Sequence, residues 1–133
     1  MFPAAIDLAV KAKGAKKIIL VSDSTAPSGM PDGKYTSGGN TFIKKDGITR
    51  NIEGVLAGST IGLMDCVKNI YEVVGIPLVD AVTMATETPA KVVGTYQSVG
   101  SLEHNKNANI IAVDDDFNVR FAMVSGEIKI PLN

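Results

Sequence analysis

One cysteine and one histidine in 133 residues leave few ways to assemble a conventional reactive centre. Cys66 alone rules out an internal disulfide and fits a reducing compartment. It lies in a helical pattern, where a small apolar role accounts for it better than a nucleophilic one. His104 sits in the polar stretch Glu103-His104-Asn105-Lys106-Asn107, which reads as an exposed loop. A catalytic zinc site usually takes three protein ligands, so this chain alone does not make a His-rich metal centre. A Ser-His-Asp triad would have to recruit the same His104, and no G-x-S-x-G elbow is present. Ser37-Gly38-Gly39 fits neither a dinucleotide fingerprint nor a Walker loop. Thirteen basic against fourteen acidic residues give a net charge of -1, and no segment concentrates Lys or Arg enough for a nucleic-acid surface. No apolar run approaches the about 20 residues that span a bilayer, and no basic leader precedes an apolar core. These absences lead to the expectation of a cytoplasmic protein with no nucleic-acid or membrane partner.

What is there is concentrated in Ile18 to Gly33, IILVSDSTAPSGMPDG. Ile18, Ile19, Leu20 and Val21 show no alternation, which predicts a strand covered on both faces, as in parallel sheets flanked by helices. Such sheets carry their catalytic groups at C-terminal strand ends. Asp23 stands two residues beyond the run, where a carboxylate can enter a cleft. Asp-Ser-Thr is also ordinary turn chemistry, so the pattern equally allows an Asp that caps its own loop.

Around this segment the chain reads as mixed α and β. Pro3 to Lys13 is a helix opened by Pro and ended by Gly14. No strand precedes it for the Ile18 strand to pair with, so the chain begins as though something had been cut away. Short strands are expected at Lys34–Thr36, Thr41–Lys44 and Ile48–Ile52, with Asp46-Gly47 as a hairpin turn. Ser59 is placed to cap a helix running to Val74. Pro77 opens a second helix through about Glu87, and Thr88-Pro89 starts a third that stops near Gly94. Strands return at Asn109–Val113, Val119–Val124 and Glu127–Ile130. Asp114-Asp115-Asp116 lies in a turn and lacks the ligand spacing of a calcium loop, which favours a solvated turn over a cation site. In Gly54-Val55-Leu56-Ala57-Gly58-Ser59 two glycines frame an apolar pair before a helix start. That loop is either a tight passage or a place where backbone approaches a polar or anionic ligand.

In order and spacing, Leu20-Val21-Ser22-Asp23, Ala26-Pro27-Ser28-Gly29, Pro31-Asp32-Gly33-Lys34-Tyr35, Gly54 to Ser59, Met84-Ala85-Thr86 with Pro89-Ala90, and Val124-Ser125-Gly126 carry a resemblance over nearly the whole chain. They resemble the C-terminal part of the N-acetylglucosamine-6-phosphate deacetylases of the amidohydrolase superfamily. Ser22 and Ser24 depart mildly from the Thr and Ala often found beside the family's acid. The resemblance implies an α/β fold, the C-terminal portion of a (β/α)8 barrel plus strands of a small β-sandwich. Residues 1–99 would belong to the barrel, with an inserted hairpin region at about 34–52, and residues 100–133 to the sandwich.

The resemblance further implies that Asp23 is the catalytic acid and base, that Leu56, Ala57 and Gly58 contact substrate, and that no residue of this chain binds the metal. The complete enzyme would use a divalent metal and convert N-acetylglucosamine 6-phosphate to glucosamine 6-phosphate and acetate. The family's metal-binding Glu and two His, its phosphate-gripping Arg and its D-G-x-H motif lie upstream of the region matched here, with Met1 just after the last. The expectation is therefore a fragment, inactive and without bound metal when alone, that covers its open strand edges by homo-oligomerisation. The alternative is a binding or assembly module of the same fold that performs no chemistry.

Overall fold

The structure is a computed structural model and describes residues 2–132. They fall into two compact units, one formed by residues 1–20 and 67–133 and the other by residues 21–66.

In the unit 21–66, strands β1 (Gly33–Ser37), β2 (Asn40–Lys45) and β3 (Ile48–Asn51) form an antiparallel meander. Both of its turns are two-residue loops. Gly38 and Gly39 have φ of 56° and 78°, and Asp46 and Gly47 have 50° and 74°. Left-handed geometry at both central positions matches the twist of the flanking strands, and Gly or Asp adopts it at least cost. The register then runs Ser37 to Asn40 and Lys45 to Ile48. β3 stops at Asn51 rather than Ile52, because Asn51 Oδ1 accepts the backbone N–H groups of Glu53 and Val55 at 3.0 and 2.9 Å and turns the chain back.

The predicted Ile18–Val21 strand is not a strand. The run is extended at Ile18, but its only ladder-like bond is Leu20 N–H to Met84 O at 3.0 Å. Val21 is 71% exposed instead of covered. A parallel strand needs neighbours to supply its hydrogen bonds, and the described residues give this run none. Among the described residues the one parallel pairing lies just beyond it, a single bridge between Ser24 and Ser59.

The predicted helix from Ser59 also begins later. Helix α2 (Leu63–Asn69) starts where Asp65 Oδ2 accepts the Gly62 N–H at 2.8 Å. Ser59 Oγ instead accepts the N–H of Ile61 at 3.1 Å in a local turn. α2 continues as a π-helical turn over Ile70–Val74 and ends at Gly75, φ 82°.

In the unit 1–20 and 67–133, α1 (Pro3–Lys13) has the expected bounds, with Pro at its first position, Lys11 and Lys13 in its last turn and Gly14 at its end. It packs on the 70–74 turn, while α3 (Leu78–Ala85) packs on the short 3-10 turn 15–17 and on α4 (Glu87–Val92). α4 starts at Glu87, ahead of Pro89, because a proline in the first turn has no intrahelical N–H to lose. Val10, Ala15, Val67, Ile70, Ile76, Ala81, Met84 and Ala90 form the buried apolar set of this unit. Strands β4 (Ile110–Val113), β5 (Val119–Val124) and β6 (Glu127–Ile130) make a second antiparallel sheet in that order. The observed architecture is thus mixed α/β with two small antiparallel sheets. Among the described residues no helix is long and apolar enough to cross a membrane.

Candidate active site

Asp23 and the loop Leu56–Gly58, both expected from the sequence as site residues, meet within the unit 21–66. Asp23 has φ 50°, a left-handed conformation uncommon for a residue with a side chain, and is exposed. Its carbonyl accepts the Ser59 N–H at 2.8 Å. The Ser59 carbonyl accepts twice from Thr25, from its N–H at 2.9 Å and its Oγ1 at 3.0 Å. Ser28 Oγ donates to Thr60 O at 2.8 Å, and Ser24 Oγ donates to Ile61 O. Three hydroxyls, from Ser24, Thr25 and Ser28, therefore satisfy three consecutive carbonyls, Ser59 to Ile61. Turn chemistry allowed an Asp that caps its own loop, but among the described hydrogen bonds the Asp23 carboxylate accepts none. The hydroxyl-rich stretch after it binds a neighbouring segment.

The Leu56–Gly58 loop is fastened on its other side by β3. Ala57 N–H donates to Thr49 O at 2.9 Å, Arg50 bridges Leu56 in antiparallel fashion, and Arg50 Nη1 donates to Gly54 O at 2.8 Å. Leu56 is left 65% exposed, with Val55 also exposed, so the loop presents apolar side chains to solvent. Gly58 has φ 78° and lies beside Asp23: a Cβ there would fall 2.7 Å from Asp23 O and 3.3 Å from Asp23 Oδ2. Sequence reasoning missed Thr25, Arg50 and Asn51. An Asn followed within four residues by Gly signals the Asx turn at Asn51, whereas the reach of Thr25 has no local signature.

Among the described residues no three His, Cys, Asp or Glu side chains gather to hold a metal ion. Asp23 alone is not a metal site, so these residues do not by themselves fit the divalent metal that the resemblance implies. His104 is exposed, in the other unit. Cys66 is half-buried, and burial, then the neighbouring Asp65 carboxylate, push its thiol pKa up, away from the nucleophilic thiolate. The triple Asp is a solvated turn. Asp114 Oδ1 accepts the N–H groups of Asp116 and Asn118 at 3.0 and 2.8 Å, and its Oδ2 pairs with Arg120 Nη2 at 2.7 Å.

An exposed carboxylate thus stands beside the glycine-containing loop 54–58, and the comparisons with known proteins give the family. Residues 4–129 match the amidohydrolase family. The chain belongs to this family. It is 40% identical over 126 residues to N-acetylglucosamine-6-phosphate deacetylase of Vibrio furnissii, a match covering 95% of this chain and 31% of that protein. It is 34% identical over 113 residues to N-acetylgalactosamine-6-phosphate deacetylase of Escherichia coli O157:H7, covering 85% of this chain and 30% of the relative. The crystal structure of N-acetylglucosamine-6-phosphate deacetylase from Pasteurella multocida superposes with a TM-score of 0.91 at 36% identity, over 98% of this chain and 34% of that one. This amidohydrolase chain spans about a third of the length of these relatives.

Proposed function

We propose that the chain is the acid-bearing, substrate-loop portion of an N-acetylglucosamine-6-phosphate deacetylase. The observation that carries this reading is the meeting of Asp23 with Gly58 in a sequence 40% identical to such an enzyme. Asp23 acts as general base and then general acid: its carboxylate takes a proton from the attacking water and returns it to the sugar nitrogen as the acetamide C–N bond breaks. Acetate and glucosamine 6-phosphate leave. The first step takes the ionised carboxylate and the second the protonated one. Leu56, Ala57 and Gly58 contact the substrate, with backbone approach at Gly58 and apolar cover from Leu56.

The complete enzyme is a (β/α)8 barrel with a β-sandwich, residues 1–99 belonging to the barrel and 100–133 to the sandwich. Its divalent metal would be held by residues outside those described here and would supply activation of the water. The 34% identical relative named for the galacto sugar makes the C4 epimer the natural competing substrate.

The test is a chimera joining this chain to the upstream portion of the Vibrio furnissii relative, assayed for acetate release from both N-acetylhexosamine 6-phosphates. Asp23→Asn should lower turnover by roughly two to four orders of magnitude with folding retained. A loss below about tenfold rejects the acid–base role, because general acid–base groups contribute more than that. Faster turnover of the galacto substrate would reassign the specificity and leave the chemistry in place.

A further inference from the structure

Asp23 holds a left-handed backbone conformation that its side chain disfavours, and such conformations persist only where the surroundings over-determine them. Here the surroundings are a clasp between two segments. Ser59 donates its N–H to Asp23 O and accepts at its carbonyl from Thr25, so the peptide groups on both sides of Ser24 are tied to one residue, the one that follows the Leu56–Gly58 loop. Thr25 supplies two of those three bonds, through N–H at 2.9 Å and Oγ1 at 3.0 Å. Its methyl has a second task. A Cβ added at Gly58 would lie 2.7 Å from Thr25 Cγ2, so the methyl closes over the bare Cα face of Gly58 while the Asp23 carboxylate reaches the same place.

We propose that Thr25 is a positioning residue for the acid, its hydroxyl anchoring Ser59 and its methyl seating on Gly58 so that the Asp23 carboxylate and the substrate loop are held as one rigid piece. The proposal rests on the reading of Asp23 as the acid. It accounts for a β-branched hydroxyl residue at this position, since Ser has the anchor without the seat and Val the seat without the anchor. It also accounts for Gly58, where any side chain would meet the Asp23 carbonyl.

The experiment uses Thr25→Val and Thr25→Ser. Amide hydrogen exchange is followed by NMR in the full 133-residue chain, and kcat and KM are measured in the chimera. Thr25→Val removes one hydrogen bond, so exchange at the Ser59 amide should quicken about fivefold, while amides of the β1–β2 hairpin stay at parental rates. A carboxylate released from its aim should lower kcat about tenfold or more and change KM much less, because the loop stays fastened to β3 through Ala57 N–H to Thr49 O and the Arg50–Leu56 bridge. Thr25→Ser, retaining the anchor, should keep Ser59 exchange near the parent and restore most of kcat. Unchanged Ser59 exchange in Thr25→Val overturns the clasp, as does a rise shared equally by the hairpin amides, which would mark general loosening. If Asp23→Asn abolishes turnover while Thr25→Val leaves both exchange and kcat at parental values, the clasp falls and the acid reading stands. If exchange responds as expected but Asp23→Asn is fully active, the acid reading falls, and with it any positioning role for Thr25.

Discussion

Asp114 shows how one side chain of a triple-Asp turn becomes structural. Hydrogen bonds from the Asn118 side chain, then from its backbone N–H and from Arg120, lower its carboxyl pKa from 3.8 to about 2. Because the folded value is the lower one, the stabilisation is complete above the ordinary value and is lost as pH falls through about 2. A carbon-detected titration of Asp114 should show a midpoint near about 2, and one near 3.8 would contradict the turn geometry. Asn118→Ala should raise that midpoint more than Arg120→Ala, since the Asn118 side chain is the larger cause. The neighbouring Asp115 and Asp116 are exposed and have no such partners among the described hydrogen bonds. At the same scale His104→Ala in the chimera should leave acetate release unchanged, because the residue is exposed in the polar loop 103–107.

At the scale of elements, the most constrained junction is the turn after α4. Gly100 has φ 97°, and a Cβ there would fall 2.6 Å from Ala90 Cβ and 3.3 Å from Thr86 O. Gly94 shares a positive φ of 76° but has open space around it. Gly94→Ala therefore isolates the backbone cost, about 1 kcal/mol. Gly100→Ala adds overpacking of roughly 1–3 kcal/mol. The Gly100 variant should melt several degrees below the Gly94 variant by circular dichroism, and equal midpoints would show that the 95–100 turn yields without strain. These turns also show what the sequence makes legible. Local chemistry fixed α1, the Asp46-Gly47 hairpin and the strands after Gly100, because Pro, Gly and Asp act on their immediate neighbours. The Ile18–Val21 strand and the Ser59 cap were read from patterns whose meaning depends on distant partners. The apolar run lacks neighbouring strands, and Ser59 is engaged by Thr25 and Asp23 instead of by a helix. Asp23 with Leu56–Gly58 was reached through resemblance, since nothing local ties residue 23 to residue 58.

For the whole molecule, the surface left apolar decides how it behaves in solution. In the unit 21–66, Val21 and Ile52 are each 71% exposed. In the other unit Val79 of α3 and Leu102 are more exposed still, and β6 has every residue exposed. Single exposed aliphatic residues are ordinary, but several on short elements, together with unpaired edges on both three-stranded sheets, favour pairing with another chain. The isolated 133-residue chain should therefore form a dimer or higher oligomer at micromolar concentration by light scattering. Val21→Asp is the sharper perturbation: the residue is exposed, so a charge there disturbs association while leaving the fold intact, whereas Ile19 is half-buried and a charge there would act on folding as well. The associated form should still release no acetate and retain no stoichiometric metal, because among the described residues no three His, Cys, Asp or Glu side chains gather to hold one. Elemental analysis with an acetate assay checks that outcome. A folded monomer unaffected by Val21→Asp would show that these apolar surfaces tolerate water, and metal-dependent turnover by the purified chain would show that the catalytic centre is complete within it.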